Sequence, residues 1–168
     1  MRKALLIAMA FAAVPTGVAV AQSDGLKVTG GGQVVASGQT TGPGDTIAFN
    51  AQQIDPAGSA AKGQLQVIDR TNSEKFHGNV TCIREFTPSS GPNQGQRFVR
   101  FGGFQKLQGK QTTTPFTVDV QDNGEGQTGG NDMIFFRQRS SGDDPCDTSD
   151  QSTALRSTTL ARGNVQEH

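Results

Sequence analysis

The feature that most limits how this chain can fold is a two-residue rhythm of apolar and polar side chains, interrupted by turn residues. In DTIAFNAQ, Ile47, Phe49 and Ala51 alternate with Ala48, Asn50 and Gln52. Leu65 and Val67 alternate with glutamines in GQLQVID, and Phe116, Val118 and Val120 alternate with Thr117 and Asp119 in PFTVDV. Period two places one set of side chains in a core and the other in solvent, which is the pattern of a half-buried strand. The same rhythm in KFHGNVTCIR predicts Phe76, Gly78, Val80 and Cys82 on one face and His77, Asn79 and Thr81 on the other. RFVRFGGF and NDMIFFRQR are denser in apolar residues and read as strands buried on both faces.

Turn signals separate these segments: Gly42-Pro43-Gly44-Asp45, Asp55-Pro56-Ala57-Gly58, Pro88 to Asn93, and Asp122-Asn123-Gly124. Many short strands at this spacing, with 22 glycines and no helical periodicity, predict an all-β single domain. The expected architecture is an antiparallel sandwich or barrel of about eight strands. Both ends of the domain carry strand-like sequence, and sheet edges need protection. The first strand, around Leu26–Ala36, is therefore expected beside the last, around Leu160–His168.

Residues 1–21 read as a secretory signal peptide. Arg2 and Lys3 precede an apolar run from Ala4 to Ala13, Pro15 breaks it, and Ala19-Val20-Ala21 supplies small residues before Gln22. The run is too short and too interrupted for a membrane span, which needs about 20 apolar residues. The expected product is residues 22–168, a secreted domain without a transmembrane segment, located extracellularly or in a bacterial cell envelope or periplasm. It would carry 13 basic and 15 acidic residues, with the basic ones scattered. Nucleic-acid binding requires clustered positive charge, so nucleic acid is not an expected partner.

Export also interprets the two cysteines. In an oxidising compartment Cys82 and Cys146 are expected to form a disulfide, tying a polar loop around residues 140–157 to the strand that carries Cys82. A nucleophilic Cys82 with His77 as base is the competing chemistry. On a regular strand, five positions separate the two side chains by about 17 Å and place them on opposite faces. For zinc, His77, His168, Cys82 and Cys146 are the available nitrogen and sulfur donors, and they lack a close-spaced pair. The triplet Gly30-Gly31-Gly32 is followed by strand-like sequence, whereas a phosphate loop requires a helix there, so it reads as a bulge or a close backbone approach.

Carboxylates offer two further candidates. Asp122, Glu125 and Asp132 gather in sequence around one turn and form a weak calcium candidate, calcium being the one cofactor considered. Asp-Asn-Gly is itself a strong turn signal, so a solvated acidic loop is the simpler reading. Glu74, Glu85, Glu125 and Asp132 could supply paired carboxylates to a small hydrolase, but spatial separation decides such chemistry. A GxSxG nucleophile elbow is absent from the sequence.

Six motifs occur in order: VTGGGQV (28–34), FNAQ (49–52), KGQLQVID (62–69), FHGNVTC (76–82), DNGEG (122–126) and GNVQEH (163–168). Together they resemble a family of small secreted bacterial β-domains related to the post-COAP-1 domain. The chain departs from that pattern after Glu125, where a proline is common, and at Arg162-Gly163, where Gly-Gly is usual. The resemblance implies an extracellular all-β domain and carries over no catalytic residue. The expectation is a non-enzymatic interaction module whose partner is an extracellular protein or polysaccharide; the alternative is the paired-carboxylate hydrolase.

Overall fold

A computed structural model of the chain describes residues 25–34, 44–70, 73–124, 132–150 and 158–168. Residues 1–21, where a signal peptide is expected, Ala36, Glu125 and residues 151–157 of the polar loop lie outside them. Eight strands follow one another: β1 (Lys27–Val34), β2 (Asp45–Gln53), β3 (Ala60–Asp69), β4 (Glu74–Phe86), β5 (Phe98–Leu107), β6 (Lys110–Gln121), β7 (Met133–Gln138) and β8 (Thr158–Glu167). Each pairs antiparallel with its neighbour in sequence, and β8 pairs with β1, closing a barrel. The two terminal strands are adjacent, as both ends of the sequence predict.

An eight-stranded barrel encloses a space just wide enough for side chains to fill. Here Ile47, Phe49, Ala51, Leu65, Val67, Val118 and Val120, the apolar members of the alternating segments, are all buried. Phenylalanines carry the packing across the interior. Phe49 of β2 meets Phe101 of β5 with ring centroids 5.0 Å apart, and Phe76 of β4 meets Phe116 of β6 at 5.5 Å, edge to face. Burying each such side chain is worth about 1.5–3 kcal/mol. Gly78 makes room for one of these rings: a Cβ there would lie 2.9 Å from Phe116 Cδ1. The glycine triplet of β1 is a close backbone approach, since a Cβ on Gly30 would lie 3.0 Å from the Val165 Cα of β8.

β4 departs from the expected alternation. Its pairing with β5 shifts between Val80 and Cys82, so Val80 opposes Gly103 and Cys82 opposes Gly102. A bulge of this kind inserts one residue and turns the remainder of the strand over. Ile83, 1 % exposed, takes the interior position, and Cys82 joins His77 on the outer side. The expectation that Cys82 shares a face with Phe76 and opposes His77 is therefore corrected. β5 is buried on both faces from Phe98 to Gly103, as its composition predicts. β7 is not: Ile134 is buried, whereas Phe135 and Phe136 are half-buried.

The outer face of β5 and β6 is buried because the segment after β7 folds over it. Pro145 and Cys146 press onto this face, and a Cβ on Gly102 would lie 2.8 Å from Pro145 Cβ. The barrel seam is narrow at β7–β8, where the register pairs Met133 with Thr159 and Ile134 with Thr158. Asp132 extends that seam. Its carbonyl accepts the Leu160 amide at 2.8 Å, and its carboxylate accepts the Val165 amide at 2.7 Å.

Candidate functional site

Beneath the 140–150 segment lies a second, external core. The alternation of β5 and β6 directs Phe98, Arg100, Thr117 and Asp119 outward, yet all four are buried: the overlying strap meets Arg100 and Thr117 directly, and Phe98 packs against Phe86. Arg100 donates through Nε to Asp119 Oδ1 at 2.7 Å and through Nη2 to Oδ2 at 2.8 Å, a two-pronged pair with neither side chain exposed. Its remaining nitrogen, Nη1, donates to the carbonyls of Asp147 and Asp150. Its guanidinium carbon sits 4.6 Å from the centre of the Phe86 ring, within cation–π range. Burial pushes the Asp119 carboxyl up, and the two bonds from Arg100 oppose that shift.

Covalent and neutral contacts hold the same strap. The Cys82–Cys146 disulfide is present, with Cα atoms 6.2 Å apart, and Thr117 Oγ1 donates to the Pro145 carbonyl at 2.7 Å. Both sulfurs are therefore taken up in a bond, and Cys82 is neither a thiolate nucleophile beside His77 nor a zinc ligand. His77 is exposed on the outer face of β4, and His168 contacts Thr29 Oγ1 at 3.2 Å.

The acidic residues of the strap are engaged locally. Asp144 accepts the Cys146 amide, Asp143 accepts the Ser140 amide, and Asp147 accepts both the amide and the hydroxyl of Ser149. Those bonds from Ser149 hold the Asp147 carboxyl below its ordinary range. Asp150 lies 3.2 Å from Arg137 and from Arg139. The segment is thus a run of side-chain-closed turns joined by ion pairs.

The calcium candidates lie at the β6–β7 turn, at the barrel end where β8 finishes. Asp132, 1 % exposed, accepts the Asn123 amide through Oδ1 and the Val165 amide through Oδ2. Asp122 accepts the Gly124 and Glu167 amides. Their oxygens tie the β6–β7 turn to β8, and Glu125 lies outside the described residues. Among the described residues, groups of three or more His, Cys, Asp or Glu side chains suited to a metal ion are absent.

The candidate hydrolytic carboxylates are dispersed. Glu85, at the end of β4, is paired with Arg97, which also pairs with Glu167, in a hollow of about 380 Å³. The Arg97 guanidinium holds the Glu85 carboxyl below its usual value. Glu74 lies at the other barrel end, opposite Asp69 across the β3–β4 pair, in a hollow of about 420 Å³ that Phe76 and Phe136 also line. Sequence spacing brought neither Asp69 nor Glu167 forward, because Asp69 meets Glu74 only through strand pairing and Glu167 meets Arg97, which precedes β5, only once the barrel is closed. The buried Arg100 was equally silent, since an arginine in a strand reads as a solvent-facing residue until something covers it.

Comparison with protein-family models, with curated proteins and with solved structures found no match in any of the three.

Proposed function

We propose that this chain is an exported, non-enzymatic β-barrel that works as an interaction module outside the cell or in the cell envelope. The observation that carries the reading is the packed interior. Phe49, Phe76, Phe101 and Phe116 meet across the barrel axis, and the hollows described above open on the outer surface or at the barrel ends. Recognition by such a molecule is a property of its exterior. That exterior is polar along β1 to β4, the inverse of a membrane-spanning barrel, whose outward band is apolar. The disulfide, the secretory layout of residues 1–21 and the resemblance to secreted β-domains related to the post-COAP-1 domain support export.

A hydrolytic reading has one observation in its favour, the Asp69–Glu74 pair beside two phenylalanines in one hollow. Incubating the purified protein with its own cell envelopes and with extracellular polysaccharides tests both. Retention without release of new reducing ends or peptides supports the module. Product formation that disappears in Glu74→Gln supports the hydrolase and overturns the module, and absence of retention also overturns it.

A further inference from the structure

The outward positions of the first four strands form a continuous polar surface. Positions 27, 29, 31 and 33 of β1 face outward, as do 46 to 52 of β2, 62 to 68 of β3 and 75 to 81 of β4, taking alternate residues. These positions hold Lys27, Lys62, Lys75 and His77, six carboxamides, and no carboxylate. The chain has as many acidic as basic residues, and the described acids lie elsewhere: in and beneath the strap, in the β6–β7 turn and at the barrel ends. Gly31 and Ala48 pair side by side and keep the centre of the face flat.

Register aligns the polar groups into rows. Thr29, Asn50, Gln64 and Asn79 stand opposite one another across four strands, and Lys27, Gln52 and Lys62 form the row beside them. With strands about 4.8 Å apart, the first row runs for roughly 14 Å. A hollow of about 600 Å³ follows both rows, lined by Lys27, Thr29, Asn50, Gln52, Lys62 and Gln64. A second of about 390 Å³ begins at the same Gln64 and continues past His77 and Asn79 to Lys106 and Gln108. The two join into one track across the sheet, with lysines at intervals and amides between. Asn50 accepts the Gln64 amide at 2.7 Å, which fixes one of those carboxamides in place.

From this surface we infer that the β1–β5 track binds an acidic polysaccharide, with Lys27, Lys62 and Lys106 meeting its carboxylates and the carboxamides its hydroxyls. A carboxamide both donates and accepts, as a sugar hydroxyl does, and three spaced ammonium groups match a chain with intermittent negative charge. Duplex nucleic acid fits less well. Its charges are denser than these lysines, and the row lacks the clustered arginines that grip phosphates.

The inference rests on the interaction-module reading and names the class of partner. Its test is affinity electrophoresis of the purified protein through polygalacturonate, with dextran and double-stranded DNA as comparison matrices, beside capture by cell envelopes. The expected result is retardation by polygalacturonate that fades with added salt, with none by dextran. Lys27→Gln/Lys62→Gln is expected to weaken it by about tenfold, as the loss of two exposed charge pairs does. Arg84→Gln/Arg162→Gln, with the same charge change off the track, should leave it unaltered. Gln64→Ala/Asn79→Ala, which keeps every charge, should also weaken retention. Equal loss in the arginine variant, stronger retention by DNA, or indifference to both track variants overturns the site. Envelope capture without polygalacturonate binding overturns the ligand class and leaves the module reading standing, whereas absence of both overturns the two together.

Discussion

Arg100 and Asp119 face each other across β5 and β6 and form a two-pronged ion pair with both side chains fully buried on the outside of the barrel. The pair is internal only because the strap covers it, and Arg100 in turn donates to two strap carbonyls. It therefore couples the strap to the barrel wall. Neither charge has water to fall back on once the other is removed.

Replacing Arg100 with Met should consequently destabilise the fold by about 3–5 kcal/mol, because it leaves the Asp119 carboxylate buried without compensation. The double variant Arg100→Met/Asp119→Leu should recover most of that loss. Urea unfolding of the two proteins checks this. A single variant as stable as the parent would show that the strap does not exclude water from the pair.

The disulfide is the strap's second anchor, closing a loop with a sequence separation of 64. Cys82→Ala/Cys146→Ala should lower stability by up to about 4 kcal/mol on the chain-entropy account. Reductant should do the same to the parent and nothing further to the variant. Thermal melts measure both effects. Mass analysis after alkylation should find two labelled thiols with reductant and none without it.

These two anchors mark where the sequence was legible and where it was not. Alternation identified the interior residues of β2, β3 and β6, because a half-buried strand must show period two to bury one face. The pairing of Cys82 with Cys146 followed from the expectation of export and from the count of two. The bulge after Val80 did not follow, because KFHGNVTC continues the alternation through the very residue that breaks it. Ile83 directly after Cys82 was the available sign: a large apolar residue falls on what should be the outer face. The β5–β6 hairpin was also missed, since Leu107-Gln108-Gly109-Lys110 turns with positive φ at Gln108 as well as at Gly109. Glutamine is not a residue that advertises such a turn. The track over β1 to β5 was unreadable for another reason: its rows exist only once four strands are in register.

At the β7–β8 seam, Asp132 supplies hydrogen bonds that the short ladder lacks. Asp132→Asn keeps the shape but replaces one accepting oxygen with a donor, so either Asn123 or Val165 loses its acceptor. A charge-assisted bond of this kind is worth about 1.5–3 kcal/mol. Asp132→Asn should therefore destabilise by about 2 kcal/mol. Amide exchange should speed at Val165 and Leu160 before it speeds on β3 and β4. Uniform acceleration over all eight strands would mean that the seam opens only with the whole barrel.

The Arg97 bridge sets a pH response of known sign. Glu85 has a folded-state pKa below its ordinary value of 4.5, with the hydrogen bond from Arg97 the largest cause. A depressed carboxylate contributes stability that is present above the unfolded pKa and disappears as pH falls through the folded one. Both partners are about half exposed, so the contribution should stay below about 1 kcal/mol and shrink with added salt. The parent should thus melt slightly above Glu85→Gln at neutral pH, and the two curves should converge as acidification protonates Glu85. Melting both proteins from pH 7 downward reads the difference directly. A gap that widens towards acid would mean that Glu85 is stabilised in its protonated form, and that Arg97 is held by Glu167 alone.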